Sequence, residues 1–146
     1  EPEVSEAYGD NILKLNLKDD GDDRRFAALL PEVVAFVRRA RAADPNAVVY
    51  VHCKSGVNRA PSLAMALLIA LDRATFVEAL AAVRAARPSC RPKYVQAVAA
   101  YEDRALGRST APALRDGVDS AGFCDLYYGL KEDYSGGERW RSEHAK

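Results

Sequence analysis

The chain has 146 residues, 49% of them hydrophobic, which suits one globular domain with its own core and leaves no room for two. Lys plus Arg (21) balance Asp plus Glu (21), so no global positive field favours nucleic acid or an anionic membrane, and any affinity for phosphate must be local. The longest apolar run, from Leu63 to Leu71, is too short to span a bilayer. No signal-peptide pattern is visible, and a start at Glu1 rather than methionine fits a processed form or a fragment. The three cysteines (Cys53, Cys90, Cys124) and two histidines (His52, His144) are too few for a zinc cluster. Their odd, wide spacing also argues against a disulfide scaffold and for a reducing, soluble compartment.

In chain order, residues 12–17 alternate apolar and polar and predict a strand with Leu13, Leu15 and Leu17 on one face. The acidic stretch Asp19, Asp20, Gly21, Asp22, Asp23 reads as a loop. Phe26, Leu30, Val33, Val34 and Val37 then recur at helical spacing. Pro31 lies inside that pattern, which predicts a short turn before it and the main helix from it onward, ending at Asp44–Pro45–Asn46. Residues 47–51 form a continuous, β-branched apolar run, predicted as a strand buried on both faces as in a parallel sheet. A helix apolar nearly all round follows from about Arg59 to Leu71. Thr75 and Glu78 form a capping-box pattern opening another helix that ends near Arg87–Pro88. A last helix is predicted from about Pro92 to Leu106, stopped by Gly107. Residues 108–146 mix Ser, Gly and charge with isolated aromatics (Phe123, Tyr127, Tyr128, Tyr134, Trp140) and read as a tail packed on the domain or trailing from it.

The segment between the second predicted strand and its helix carries the chemistry. Phosphoryl transfer through cysteine needs a thiolate, a cradle for three phosphoryl oxygens and a proton donor for the leaving group. Cys53 begins a loop that runs into a helix N-terminus, where the backbone N–H groups of Lys54, Ser55, Gly56, Val57, Asn58 and Arg59 can converge on an anion. Gly56 permits a backbone turn closed to other residues. Arg59 offers a planar fork for two phosphoryl oxygens. His52 is read as a supporting, structural histidine. The other two cysteines lack this context, since Gln96 and Leu130 stand where Arg59 stands relative to Cys53. Loops gather at the carboxyl ends of parallel strands, so the acidic loop and the Cys53 loop should share one rim, and one aspartate could serve as general acid and then base. Composition does not choose among them.

HCKSGVNR resembles the H-C-x-x-G-x-x-R signature of the protein tyrosine and dual-specificity phosphatases, and the likeness extends over residues 12–106. It implies an α/β fold with a cysteine-phosphatase-like central parallel-type sheet flanked by helices, forming a domain over residues 1–107. Within that class, Arg59–Ala60–Pro61, the preceding Tyr50–Val51–His52–Cys53 and Ser89–Cys90–Arg91–Pro92–Lys93 resemble the plant-type glucan phosphatases. Registering the acid loop from Leu30–Pro31 places the acid on Asp20, with Asp19 and Asp22 behind it. The resemblance implies no cofactor and no metal, a phosphorylated substrate (glucan, then phosphoinositide or phosphoprotein) and a cytoplasmic or plastid setting.

Several features depart from that pattern. Gly21 replaces the aromatic of the glucan phosphatases' acid loop, Lys54 adds a rim cation as in phosphoinositide phosphatases, and only eleven residues precede Ile12, where relatives have several strands and a helix. Two strands do not make a stable sheet for four helices. The sequence therefore predicts missing N-terminal strands, a partner chain completing the sheet, or a rival role as an inactive structural or binding subunit of an assembly. In many relatives a hydroxyl after the Arg assists breakdown of the phosphoenzyme, which Ala60 cannot do. Ala60→Ser is accordingly expected to speed turnover; unchanged steady-state and single-turnover rates would remove the idea.

Overall fold

A computed structural model describes residues 8–108 and 110. After a 3-10 turn at Gly9–Asn11, four helices follow: α1 (Asp23–Ala43), α2 (Arg59–Asp72), α3 (Phe76–Ala86) and α4 (Val95–Leu106). The expected sheet is not there among the described residues. Among the described residues no segment is a strand, and no backbone hydrogen bond links residues 12–17 to residues 47–51. Both segments lie outside any helix, and side-chain packing on helices holds them in place of a ladder. Leu13, Leu15, Val49 and Val51 lie against Val33, Val34 and Val37 of α1 and Leu67 of α2. The second run is therefore buried on one face only, with Val48 93% and Tyr50 84% exposed. Its apolar character resembles a buried parallel strand, yet burial on both faces needs neighbours, and none pairs with it here.

α1 begins at Asp22, whose carboxylate accepts from Arg24 N and Arg25 N, both at 3.1 Å. It runs unbroken through Pro31, contrary to the expected break. Phe26 and Leu30 before the proline pack in one core cluster and Val33, Val34 and Val37 after it in a second, so both halves are held by burial that outweighs the backbone bond that proline cannot donate. α2 is the central element and packs against all three other helices. Met65, Ala66 and Ile69 of α2 meet Phe26 and Leu30 of α1, Phe76, Ala79 and Leu80 of α3, and Val95 and Val98 of α4. Each large apolar side chain fully buried in this way contributes about 1.5–3 kcal/mol. The exposed Arg25–Asp20 pair at 3.4 Å belongs to a class contributing about 0–1 kcal/mol, so the core carries the fold.

α3 opens with the expected capping box, Thr75 Oγ1 accepting from Glu78 N at 3.1 Å and Glu78 Oε2 accepting from Thr75 N at 2.8 Å. α4 ends at Gly107 in the left-handed conformation, φ 66°. Its start falls three residues later than the sequence suggests, at Val95. The tail aromatics, Cys124 and His144 lie outside the described residues.

Glu102 of α4 is fully buried and joins two elements, its Oε1 accepting from Phe76 N at 3.1 Å and its Oε2 from Thr110 N at 2.9 Å. Glu102→Ala would leave a buried backbone donor at the α3 N-terminus unsatisfied and is expected to cost about 2 kcal/mol in urea unfolding. Glu102→Gln, which keeps one acceptor oxygen, should cost less. A loss for the alanine variant under about 0.5 kcal/mol would contradict this account.

Candidate active site

The extended run 47–52 delivers Cys53 to the N-terminus of α2, and the intervening loop turns at Gly56, φ 67°. A side chain at Gly56 would be strained by that φ. Its Cβ would also approach the Arg87 guanidinium to 2.6 Å, but that is the end of a flexible side chain that can move, so the positive φ is what calls for glycine. Gly56 N donates to Cys53 Sγ at 3.2 Å. Burial pushes the Cys53 thiol up, but the N–H groups of Ala60, Gly56 and Ser55 and the charge of Arg59 outweigh it and bring the thiol below its ordinary value. Cys90 is the contrast. Burial dominates there and pushes its thiol up despite nearby Arg84, Arg87 and Arg91.

Arg59 donates through Nη1 to Leu17 O at 3.2 Å, while its buried Nε has no protein partner among the described residues. A guanidinium with one nitrogen anchored and another unsatisfied is set to receive an anion. The loop is also clamped from behind, where Arg91 N donates to Val57 O at 2.6 Å. Lys54 stands exposed at the rim. His52 is exposed and stacks on Tyr50, ring centroids 5.3 Å apart, and it is not among the groups that lower the Cys53 thiol.

The four aspartates that composition could not separate take four different positions. Asp22 caps α1. Asp23 Oδ1 accepts from Ala97 N at 2.9 Å, tying α1 to α4. Asp19 Oδ1 accepts from Asn58 Nδ2 at 2.7 Å. Asp20 accepts from Asp22 N at 3.0 Å and meets exposed Arg25 at 3.4 Å. The acid loop therefore reaches the Cys53 loop through two contacts, Arg59 on Leu17 O and Asn58 on Asp19.

Sequence reasoning missed Tyr94. This fully buried residue donates its hydroxyl to Lys18 O at 2.6 Å and stacks on Phe26 at 4.7 Å between centroids, fixing the acid loop from below. Burial pushes its phenol up, and the nearby Asp20 and Asp19 add to that, overcoming a backbone contact at Gly21 and the Arg59 charge. The missed contacts of Arg87 with Gly56 and of Asn58 with Asp19 join residues remote in sequence and left no local signal. Among the described residues no group of His, Cys, Asp and Glu could hold a metal ion, and no helix is long and apolar enough to cross a membrane.

A thiolate-stabilising loop at a helix N-terminus, followed at once by an anion-gripping arginine, defines a cysteine-dependent phosphatase type of site. The family described as dual specificity phosphatase, catalytic domain, matches residues 3–104. The chain is similar to dual specificity protein phosphatase 19 of Mus musculus, 37% identical over 73 residues that make up 50% of this chain and 32% of the relative. It is also similar to dual specificity protein phosphatase 13B of Homo sapiens, 34% identical over 93 residues, 62% of this chain and 47% of the relative. It thus spans from a third to about half the length of these curated relatives. No solved structure matches. The chain belongs to the dual specificity phosphatase catalytic-domain family. Neither of these two relatives is named as a glucan phosphatase.

The thiolate is the form that reacts with alkylating agents, so a lowered thiol keeps its reactivity to lower pH. Iodoacetamide labelling of the Cys53 peptide should reach half its maximal rate below the ordinary cysteine range of about 8.5. In Arg59→Ala the midpoint should move upward, because one of the groups favouring the thiolate is gone. A wild-type midpoint at or above about 8.5 would contradict the assignment.

Proposed function

We propose that the chain hydrolyses phosphate monoesters through a phosphocysteine intermediate. The observation that carries this reading is Gly56 N donating to Cys53 Sγ at 3.2 Å beside the buried Nε of Arg59, unpartnered among the described residues, an arrangement that lowers the Cys53 thiol against the opposing effect of burial. The Cys53 sulfur attacks phosphorus and the bond to the leaving oxygen breaks, while the loop N–H groups and Arg59 hold the three phosphoryl oxygens. Asp20 gives its proton to the leaving oxygen. Water then attacks phosphorus as Asp20 takes its proton, the S–P bond breaks, and Cys53 leaves as thiolate with inorganic phosphate released. The register with Leu30–Pro31, the exposed place of Asp20 and the contact of its neighbour Asp19 with Asn58 support its role. His52 supports the loop through the chain, next to the nucleophile, rather than by exchanging a proton.

Phosphoprotein is the substrate class best supported, because the matched relatives are named as protein phosphatases. The phosphoglucan reading rests on the Arg59–Ala60–Pro61, Tyr50–Cys53 and Ser89–Lys93 echoes, and Gly21 lacks the aromatic that such a reading needs. Phosphate release from phosphopeptides, phosphoinositides and amylopectin ranks the three directly, with phosphopeptides expected first and faster release from amylopectin reversing the order.

On an aryl phosphate, Cys53→Ser should abolish activity and Asp20→Asn should lower kcat by about 10²-fold, the size of a general-acid contribution. Full activity in the Cys53→Ser variant would sink the mechanism. A minor effect at Asp20 would move the acid elsewhere in the loop.

A further inference from the structure

Asn58 occupies the N-cap position of α2, where an asparagine ordinarily turns its side-chain oxygen back onto the backbone N–H of the second or third helical residue. It does not do so here. The third helical residue is Pro61, which has no N–H, and the N–H of the second, Ala60, is directed at Cys53. A capping Asn58 would compete for that one donor. Instead the side chain, only 5% exposed, is used in three other directions. Its Oδ1 accepts from Lys93 N at 2.7 Å and from Ser62 Oγ at 3.4 Å, and its Nδ2 donates to Asp19 Oδ1 at 2.7 Å. These partners fix the orientation of the amide, since a backbone N–H can only donate and a carboxylate accepts.

We propose that Asn58 is a positioning residue, binding the phosphate loop, the turn before α4 and the acid loop into one unit so that Asp20 is held at a fixed place relative to Cys53. This rests on the phosphatase reading and deepens it. Asp19 becomes the tether point and Asp20, next in the chain, the group that is positioned. Without the tether, the acid loop keeps Arg59 on Leu17 O and Tyr94 on Lys18 O, both before Asp19. Asp20 keeps its contacts with Asp22 N and Arg25, all within its own segment and α1, but the link from the residue adjoining the acid to the Cys53 loop is gone.

The test compares a substrate whose leaving group needs a proton with one that does not, phenyl phosphate against dinitrophenyl phosphate. Displacing a general acid slightly can cost up to about 10²-fold. Asn58→Ala and Asp19→Ala are each expected to lose about tenfold more kcat on phenyl phosphate than on dinitrophenyl phosphate. Asp19→Asn, which keeps an acceptor oxygen for Asn58, should stay within about threefold of wild type on both. Equal losses on the two substrates would mean a merely structural role and overturn the proposal. So would an Asp19→Asn variant as impaired as Asp19→Ala, because Asp19 would then be the acid. If Asn58→Ala fails to fold, Asp19→Ala carries the test from an exposed position. A wild-type chain inactive on both substrates would defeat the phosphatase reading separately. Amide hydrogen exchange at residues 17–22 still decides the tether in that case: faster exchange in Asp19→Ala than in wild type supports it, and unchanged exchange overturns it.

Discussion

The N-terminus of α2 faces two demands that conflict. A helix needs its first N–H groups satisfied, and a cysteine nucleophile needs N–H groups free to hold a negative sulfur. The chain resolves this by aiming Gly56 N at Cys53 Sγ, with the N–H groups of Ala60 and Ser55 near enough to favour the thiolate, and by directing the Asn58 side chain away from the helix it would otherwise cap. Much of the surrounding structure follows from that choice. Asn58 is left free to join the loop to Asp19 and Lys93, and Pro61 can sit at a helical position where its missing N–H costs nothing. The Gly56 turn brings the loop amides round the sulfur.

Around this end of α2, the loop is held by contacts remote in sequence rather than by a sheet. Arg59 reaches back to Leu17, Tyr94 to Lys18, and Arg91 to Val57. The helix core provides the rigidity that these contacts require. α2 is buried against the other three helices, so the end presenting Cys53 and Arg59 is anchored by its own apolar body. The extended runs that approach the loop rest on α1 and α2 through Leu13, Leu15, Val49 and Val51.

The helices were largely legible because each carries a local signal. The Phe26–Val37 stripe, the Thr75–Glu78 box and the Gly107 stop reflect interactions within a few residues of one another. Pro31 misled because its effect on its own turn is local, whereas the stripe that overrides it is packed by α2 and α4. The sheet misled for the opposite reason: alternation at 12–17 and the apolar run at 47–51 report on which side chains are buried and not on whether a neighbouring backbone is present to pair. In the site, the nearness of Cys53, Gly56 and Arg59 could be read from their spacing, since one short loop before α2 carries all three.

What the sequence determined by itself is the chemistry of that loop. A cysteine, a glycine and an arginine at fixed separation before an apolar helix constrain the local backbone, and local backbone geometry is what aims N–H groups at a sulfur. The tertiary structure decided the rest. It separated four adjacent aspartates into a helix cap, a helix tie, a tether and a remaining carboxylate, because each meets a different partner brought from far along the chain. It turned Asn58 from a cap into a three-way link. It also replaced an expected ladder by side-chain packing on helices, since hydrogen bonds between strands depend on neighbours that no alternation of residues can supply.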